Sequence, residues 1–161
     1  MKKRGFAKLP PILSPEKVAE IRGYFDANAV HKGPHVYSFD GQSKPIDRAR
    51  QEFSMAGYRF DQVVHAPHLV DAFNDPRLVD MIEGHLGCVP TLYSLNAWWS
   101  FPSTEPQLIH SQHFHRDIDD WRFVTLFLYL TDVDAEGGPH QIIEDSQSLE
   151  GMNRLVAQAR Q

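Results

Sequence analysis

The chain has 161 residues, enough for one domain with a real core. Hydrophobic residues make up 42% and charged residues 23%, the balance of a globular protein rather than of a disordered or membrane-embedded one. The formal net charge of -5 excludes capture of nucleic acid or an anionic membrane by bulk charge, and the lone Cys88 excludes an internal disulfide.

In chain order, the opening MKKRGFAKLPPIL is basic, but Pro10 and Pro11 break its only apolar run, so no signal peptide is expected. A reducing, cytoplasmic setting suits a chain with one cysteine. Residues 5–9 read as a short strand. Ser14 before Pro15 is a helix N-cap followed by proline at the first helical position. Val18, Ile21, Tyr24 and Phe25 continue at helical spacing, which predicts a helix to about Ala27. Residues 28–58 carry the breakers Gly33-Pro34, Asp40-Gly41 and Lys44-Pro45. They read as irregular, a surface linker or a substrate loop.

Val63, Val64, Leu69, Val70 and Phe73 predict a second helix, interrupted near Pro67. Asp75-Pro76 opens a third with Leu78, Met81, Ile82 and Leu86, and Gly87 closes it. Beyond this point the texture changes to strand-favouring residues. Residues 92–101 (LYSLNAWWSF) and 123–133 (FVTLFLYLTDV) read as strands. The second is apolar at both parities, which predicts packing on both faces. Gly137-Gly138-Pro139 reads as a turn, residues 140–143 as a strand and residues 148–161 as a helix. Helices first and strands afterwards make an α+β fold in a single domain over residues 1–161.

The chemistry concentrates in SQHFHRDIDDWRF (residues 111–123), where His113, His115 and Asp117 fall at every second position. On a strand, His115 and Asp117 point to the same side. Two histidines and one carboxylate on one face of an iron ion leave positions open for substrate and oxygen, and His-x-Asp delivers two of the three. A polar strand end with no metal matches the same spacing. His113 shares the parity, and we read it as a hydrogen-bonding neighbour rather than a third ligand.

The wider stretch QHFHRDIDDWRFVTLFLYLTDVDAEGGPHQ (residues 112–141) resembles the core of the phytanoyl-CoA dioxygenase family. Its His-Arg-Asp, the following Asp-Asp, the FLYLTDV run and the Gly-Pro-His turn carry the resemblance. GFAKLPPILSPEKVAEIRGYF and NDPRLVDMIEGHLG are similar to the family's N-terminal strand and helix and to the helix before its barrel. The resemblance implies a double-stranded β-helix (jelly roll), Fe(II) as cofactor and 2-oxoglutarate as cosubstrate. It implies His115 and Asp117 as iron ligands. It also places Trp121 beside the cosubstrate. Asn96, Trp98 and Ser100 share one face of the preceding expected strand. They line the pocket or simply pack there. The expected reaction is hydroxylation of a small organic substrate.

The match has gaps. The family's Pro-Gly-Ser-His turn is replaced by Glu144-Asp145-Ser146-Gln147. The family's second iron histidine and the arginine that grips 2-oxoglutarate lie further along than Gln161. We therefore expect an incomplete jelly roll, a site with too few ligands and impaired activity from the chain alone. Its open sheet edges favour self-association. A non-catalytic remnant or binding protein is the alternative. A zinc metallohydrolase is the third reading, because His113-x-His115-x-Asp117 starts a His-x-His-x-Asp-His motif, although Ile118 replaces its last histidine.

Overall fold

A computed structural model of the chain describes residues 4–33, 43–102, 113–117 and 119–160. The middle of the expected loop (34–42), the lead-in to the histidine motif (103–112) and Ile118 lie outside the described residues.

The first helix, α1 (Pro15–Asp26), forms where its signals say it should. The Ser14 hydroxyl accepts the Lys17 N–H, and Pro15 needs no partner at the first position. Ile21 and Phe25, one turn apart, are buried. The Asn28 side chain returns to the Tyr24 carbonyl at 2.7 Å, taking up an acceptor that the end of the helix leaves open.

The stretch expected to be irregular holds three short elements instead. These are β1 (His31–Lys32), α2 (Ile46–Glu52) and β2 (Met55–Gly57). With β3 (Trp98–Ser100) the strands make an antiparallel sheet in the order β1-β2-β3. Its register pairs Lys32 with Ala56 and Ala56 with Trp99. Tyr58 N–H to Ala97 C=O at 3.0 Å and Phe101 N–H to Ser54 C=O at 2.9 Å extend the β2–β3 pairing at both ends. All three residues of β2 are buried, as a central strand requires.

The core gathers between this sheet and the helices. Ile21, Phe25, Val30, Ala49, Ala56, Tyr58, Val63 and Leu69 form one buried cluster. The Phe25 and Tyr58 rings lie 4.4 Å apart. Two hydrogen bonds pin this contact. The Trp99 indole N–H donates to the Tyr58 hydroxyl, which donates to the Phe25 carbonyl, both at 2.8 Å. Polar groups in the cluster are thereby satisfied and a single packing is specified.

The helix interrupted near Pro67 appears as α3 (Phe60–Val64) and α4 (Leu69–Phe73). Between them His68 takes a left-handed conformation, φ 63°, and its imidazole meets the Glu20 carboxylate of α1 at 2.7 Å. The third expected helix is α5 (Pro76–Leu86), with the Asp75 carboxylate accepting the Arg77 N–H at its start and Gly87 at φ 75° ending it. Helix α6 (Leu149–Ala159) starts at Ser148, whose hydroxyl accepts the Gly151 N–H at 2.9 Å.

Four strand expectations are corrected. Residues 5–9 and 140–143 form no strand, and the run at 92–101 reaches strand geometry only over β3. Residues 123–133 form no ladder either. Their exposure alternates, so one side is half-buried while Phe127 and Tyr129 face solvent. Leu128 and Leu130 pack on the core cluster. The expectation of two packed faces fails because burial of both faces needs a layer packed on each, and only the side with Leu128 and Leu130 meets the core. The architecture is thus mixed helix with a small antiparallel sheet, an α+β arrangement.

The chain divides into two compact units, Leu13–Leu130 and a second made of Met1–Ile12 with Thr131–Gln161. Within the second, Arg4 grips the Glu144 carboxylate through Nε at 2.9 Å and Nη2 at 2.6 Å, and Arg154 pairs with Asp145 and Glu150. No helix among the described residues is long and apolar enough to cross a membrane.

Candidate metal site

Residues 113–117 and 119–122 carry no helix or strand. The pleat of a strand is therefore not what brings His115 and Asp117 together. They meet nonetheless: His115 Nε2 lies 3.2 Å from Asp117 Oδ1. On its other side, His115 Nδ1 lies 2.7 Å from the His113 carbonyl oxygen. A carbonyl only accepts, so Nδ1 carries the proton and Nε2 offers a lone pair in the neutral ring. That lone pair faces a carboxylate oxygen. Two acceptors this close call for a proton or a cation between them.

The arrangement fits a metal ion. Metal-bound imidazoles characteristically donate their second N–H to a carbonyl or carboxylate, which fixes the tautomer. Neighbouring donors on an ion with bonds of about 2.1 Å stand roughly 3 Å apart. The side chains of His115 and Asp117 are 49% and 48% exposed, open enough for an ion and its remaining ligands to reach them. Among the described residues no group of three or more His, Cys, Asp or Glu is placed to hold a metal. His115 and Asp117 would offer an ion two donors.

Asp117 also borders an open depression of about 310 Å³, lined by Arg116, Asp117, Asp120, Trp121 and Phe123. Trp121 is fully exposed beside the candidate ligand. Asn96 and Trp98 do not line this depression. Asn96 lies before β3, exposed, with its amide donating to the Ser94 hydroxyl at 3.0 Å. Trp98 is half-buried and stands edge-on to Phe127, ring centres 6.4 Å apart. Ser100 lies on β3 and is exposed.

Two side-chain contacts tie the site segment to the end of α5 and the residues after it. Tyr93 donates its hydroxyl to Asp119 Oδ2 at 2.8 Å. Arg122 Nη1 donates to the Leu86 carbonyl at 2.8 Å, satisfying an open acceptor of the last turn of α5 with a cation where the helix dipole favours one. The bond to Asp119 pushes the Tyr93 phenol up to about 12. Desolvation and the charges of Asp119, Asp117 and Asp120 push in the same direction. Sequence reasoning missed both tethers. The Asp119-Asp120 pair was the only visible sign of a crowded carboxylate group.

The family model for phytanoyl-CoA dioxygenase (PhyH) matches residues 1–159. The chain belongs to the phytanoyl-CoA dioxygenase family. This match spans both compact units and includes the segment with His115 and Asp117. At family level it implies an Fe(II)- and 2-oxoglutarate-dependent oxygenase. No curated protein and no solved structure matches the chain significantly.

Proposed function

We propose that this phytanoyl-CoA dioxygenase family member is an Fe(II)/2-oxoglutarate-dependent oxygenase that hydroxylates a small organic substrate, with His115 and Asp117 as two of its iron ligands. One observation carries the reading: Nε2 of His115 and Oδ1 of Asp117 converge at 3.2 Å while the His113 carbonyl holds the opposite ring nitrogen. Iron with 2-oxoglutarate supplies the oxidation of an unactivated C–H bond. The protein's part is to present the neutral imidazole and the carboxylate side by side. Trp121 and Phe123 give the adjoining depression apolar walls for the carbon skeleton of a ligand. Family membership favours this oxygenase over the zinc hydrolase reading. The three-stranded sheet and the apolar run after the site belong, on this proposal, to the family's jelly roll.

Anaerobic titration with Fe(II) tests the ligands. His115→Ala and Asp117→Ala should each abolish binding, and equal affinity in wild type and both variants would sink the assignment. Two protein ligands hold iron more weakly than three. With His115 and Asp117 as its two protein ligands, added Fe(II) and 2-oxoglutarate should give only a faint visible charge-transfer band. A strong band would show a third protein donor, with His113→Ala the first variant to examine.

A further inference from the structure

The candidate ligands lie on a segment without backbone ladders, so something other than secondary structure must hold them. Three carboxylates, Asp117, Asp119 and Asp120, crowd within four residues, and any of them offers oxygen to a cation. Of these, Asp119 has its Oδ2 engaged by the Tyr93 hydroxyl, 26 residues away in sequence. The bond is to a carboxylate and gains from its charge. Arg122 on the Leu86 carbonyl anchors the same segment three residues further along.

We infer that Tyr93, acting through Asp119, is a positioning residue for the metal site: it holds Asp119 aside and fixes the segment so that Asp117, not its neighbour, faces His115. This rests on the proposed iron site and goes beyond it, because neither residue is a ligand. Removing the phenolic hydroxyl frees a carboxylate two residues from Asp117. The segment thereby loses an anchor, and Asp117 is no longer held facing His115. Partners of this kind around metal ligands change affinity by about 10–100-fold.

The experiment compares Tyr93→Phe, Asp119→Ala and Asp119→Asn with wild type and His115→Ala by anaerobic Fe(II) titration, with thermal melts as a control on folding. Tyr93→Phe and Asp119→Ala should weaken Fe(II) binding roughly tenfold without moving the melting temperature. Asp119→Asn should restore affinity to near wild type, because its amide oxygen still accepts the Tyr93 hydroxyl. The double variant Tyr93→Phe/Asp119→Ala should be no weaker than Asp119→Ala alone, since both break the same contact. If His115→Ala loses binding while Tyr93→Phe and Asp119→Ala keep it, the positioning role falls and the iron site stands. If Asp119→Asn binds as poorly as Asp119→Ala, the charge of Asp119 rather than its bond to Tyr93 matters, and the inference is overturned. If His115→Ala binds like wild type, the site and the inference fall together.

Discussion

The core around α1 and the three-stranded sheet and the segment that runs from His113 to Leu130 belong to the same compact unit and are built on opposite plans. In the first, Phe25, Ile21, Val30 and Val63 are completely enclosed and buried hydroxyl and indole groups are paired. In the second, His115, Asp117 and Trp121 are open to solvent, and point contacts from Tyr93 and Arg122 stand in for a ladder. Packing stabilises one region and leaves the other free to take up a ligand. Ligand-binding segments are drawn from the part of a structure with low local stability, and on the proposed function a bound ion would add order here that the apolar contacts do not supply.

The largest test of this contrast is Phe25→Ala. The side chain is only 1% exposed and its ring stacks on Tyr58. Its truncation should cost about 3–5 kcal/mol, measured as a fall in the urea midpoint at unchanged slope. A cost under about 1 kcal/mol would mean the core is as loosely held as the site, and the contrast would be broken.

Tyr58→Phe is a finer probe. It keeps the ring but strands the Trp99 N–H and the Phe25 carbonyl, for a cost of about 1–3 kcal/mol. It also carries a pH signature. Burial first of all pushes the Tyr58 phenol from 10.0 to about 12. Below pH 10 both folded and unfolded chains hold the proton, so nothing changes. Above it the unfolded chain releases the proton and the folded one retains it, so stability falls as pH rises toward 12. Unfolding measured between pH 8 and pH 11 should show this fall in wild type and a shallower one in Tyr58→Phe. An identical slope in both proteins would remove Tyr58 from the effect.

The same contrast explains what could be read from sequence. Helices α1, α5 and α6 were legible because Ser14-Pro15, Asp75-Pro76 with Gly87, and Ser148 are local signals that act within a few residues. Strands β1 and β2 were not. Neither His-Lys nor Met-Ala-Gly alternates or favours strands, and β2 is extended because Gly57 pairs with Trp98 far along the chain. The run at 123–133 misled in the opposite direction, with strong propensity and no ladder beside it. At the site, the adjacency of His115 and Asp117 was visible in their spacing, though a coil rather than a strand produces it. The contacts Tyr93–Asp119 and Arg122–Leu86 span 26 and 36 residues. No local pattern announces them.

The smallest expected change in stability is also the sharpest test of the open region. Trp121 is 100% exposed and packs against nothing that folding must bury. Trp121→Ala should therefore move the unfolding free energy by no more than about 0.5 kcal/mol, against several times that for Phe25→Ala. If the depression it borders receives the cosubstrate, Fe(II) affinity should stay as in wild type while 2-oxoglutarate, titrated anaerobically with Fe(II) present, binds severalfold more weakly. Unchanged 2-oxoglutarate binding would remove Trp121 from that role. A stability loss above about 1 kcal/mol would show that the segment is packed after all, and that its openness is not what sets it apart from the core.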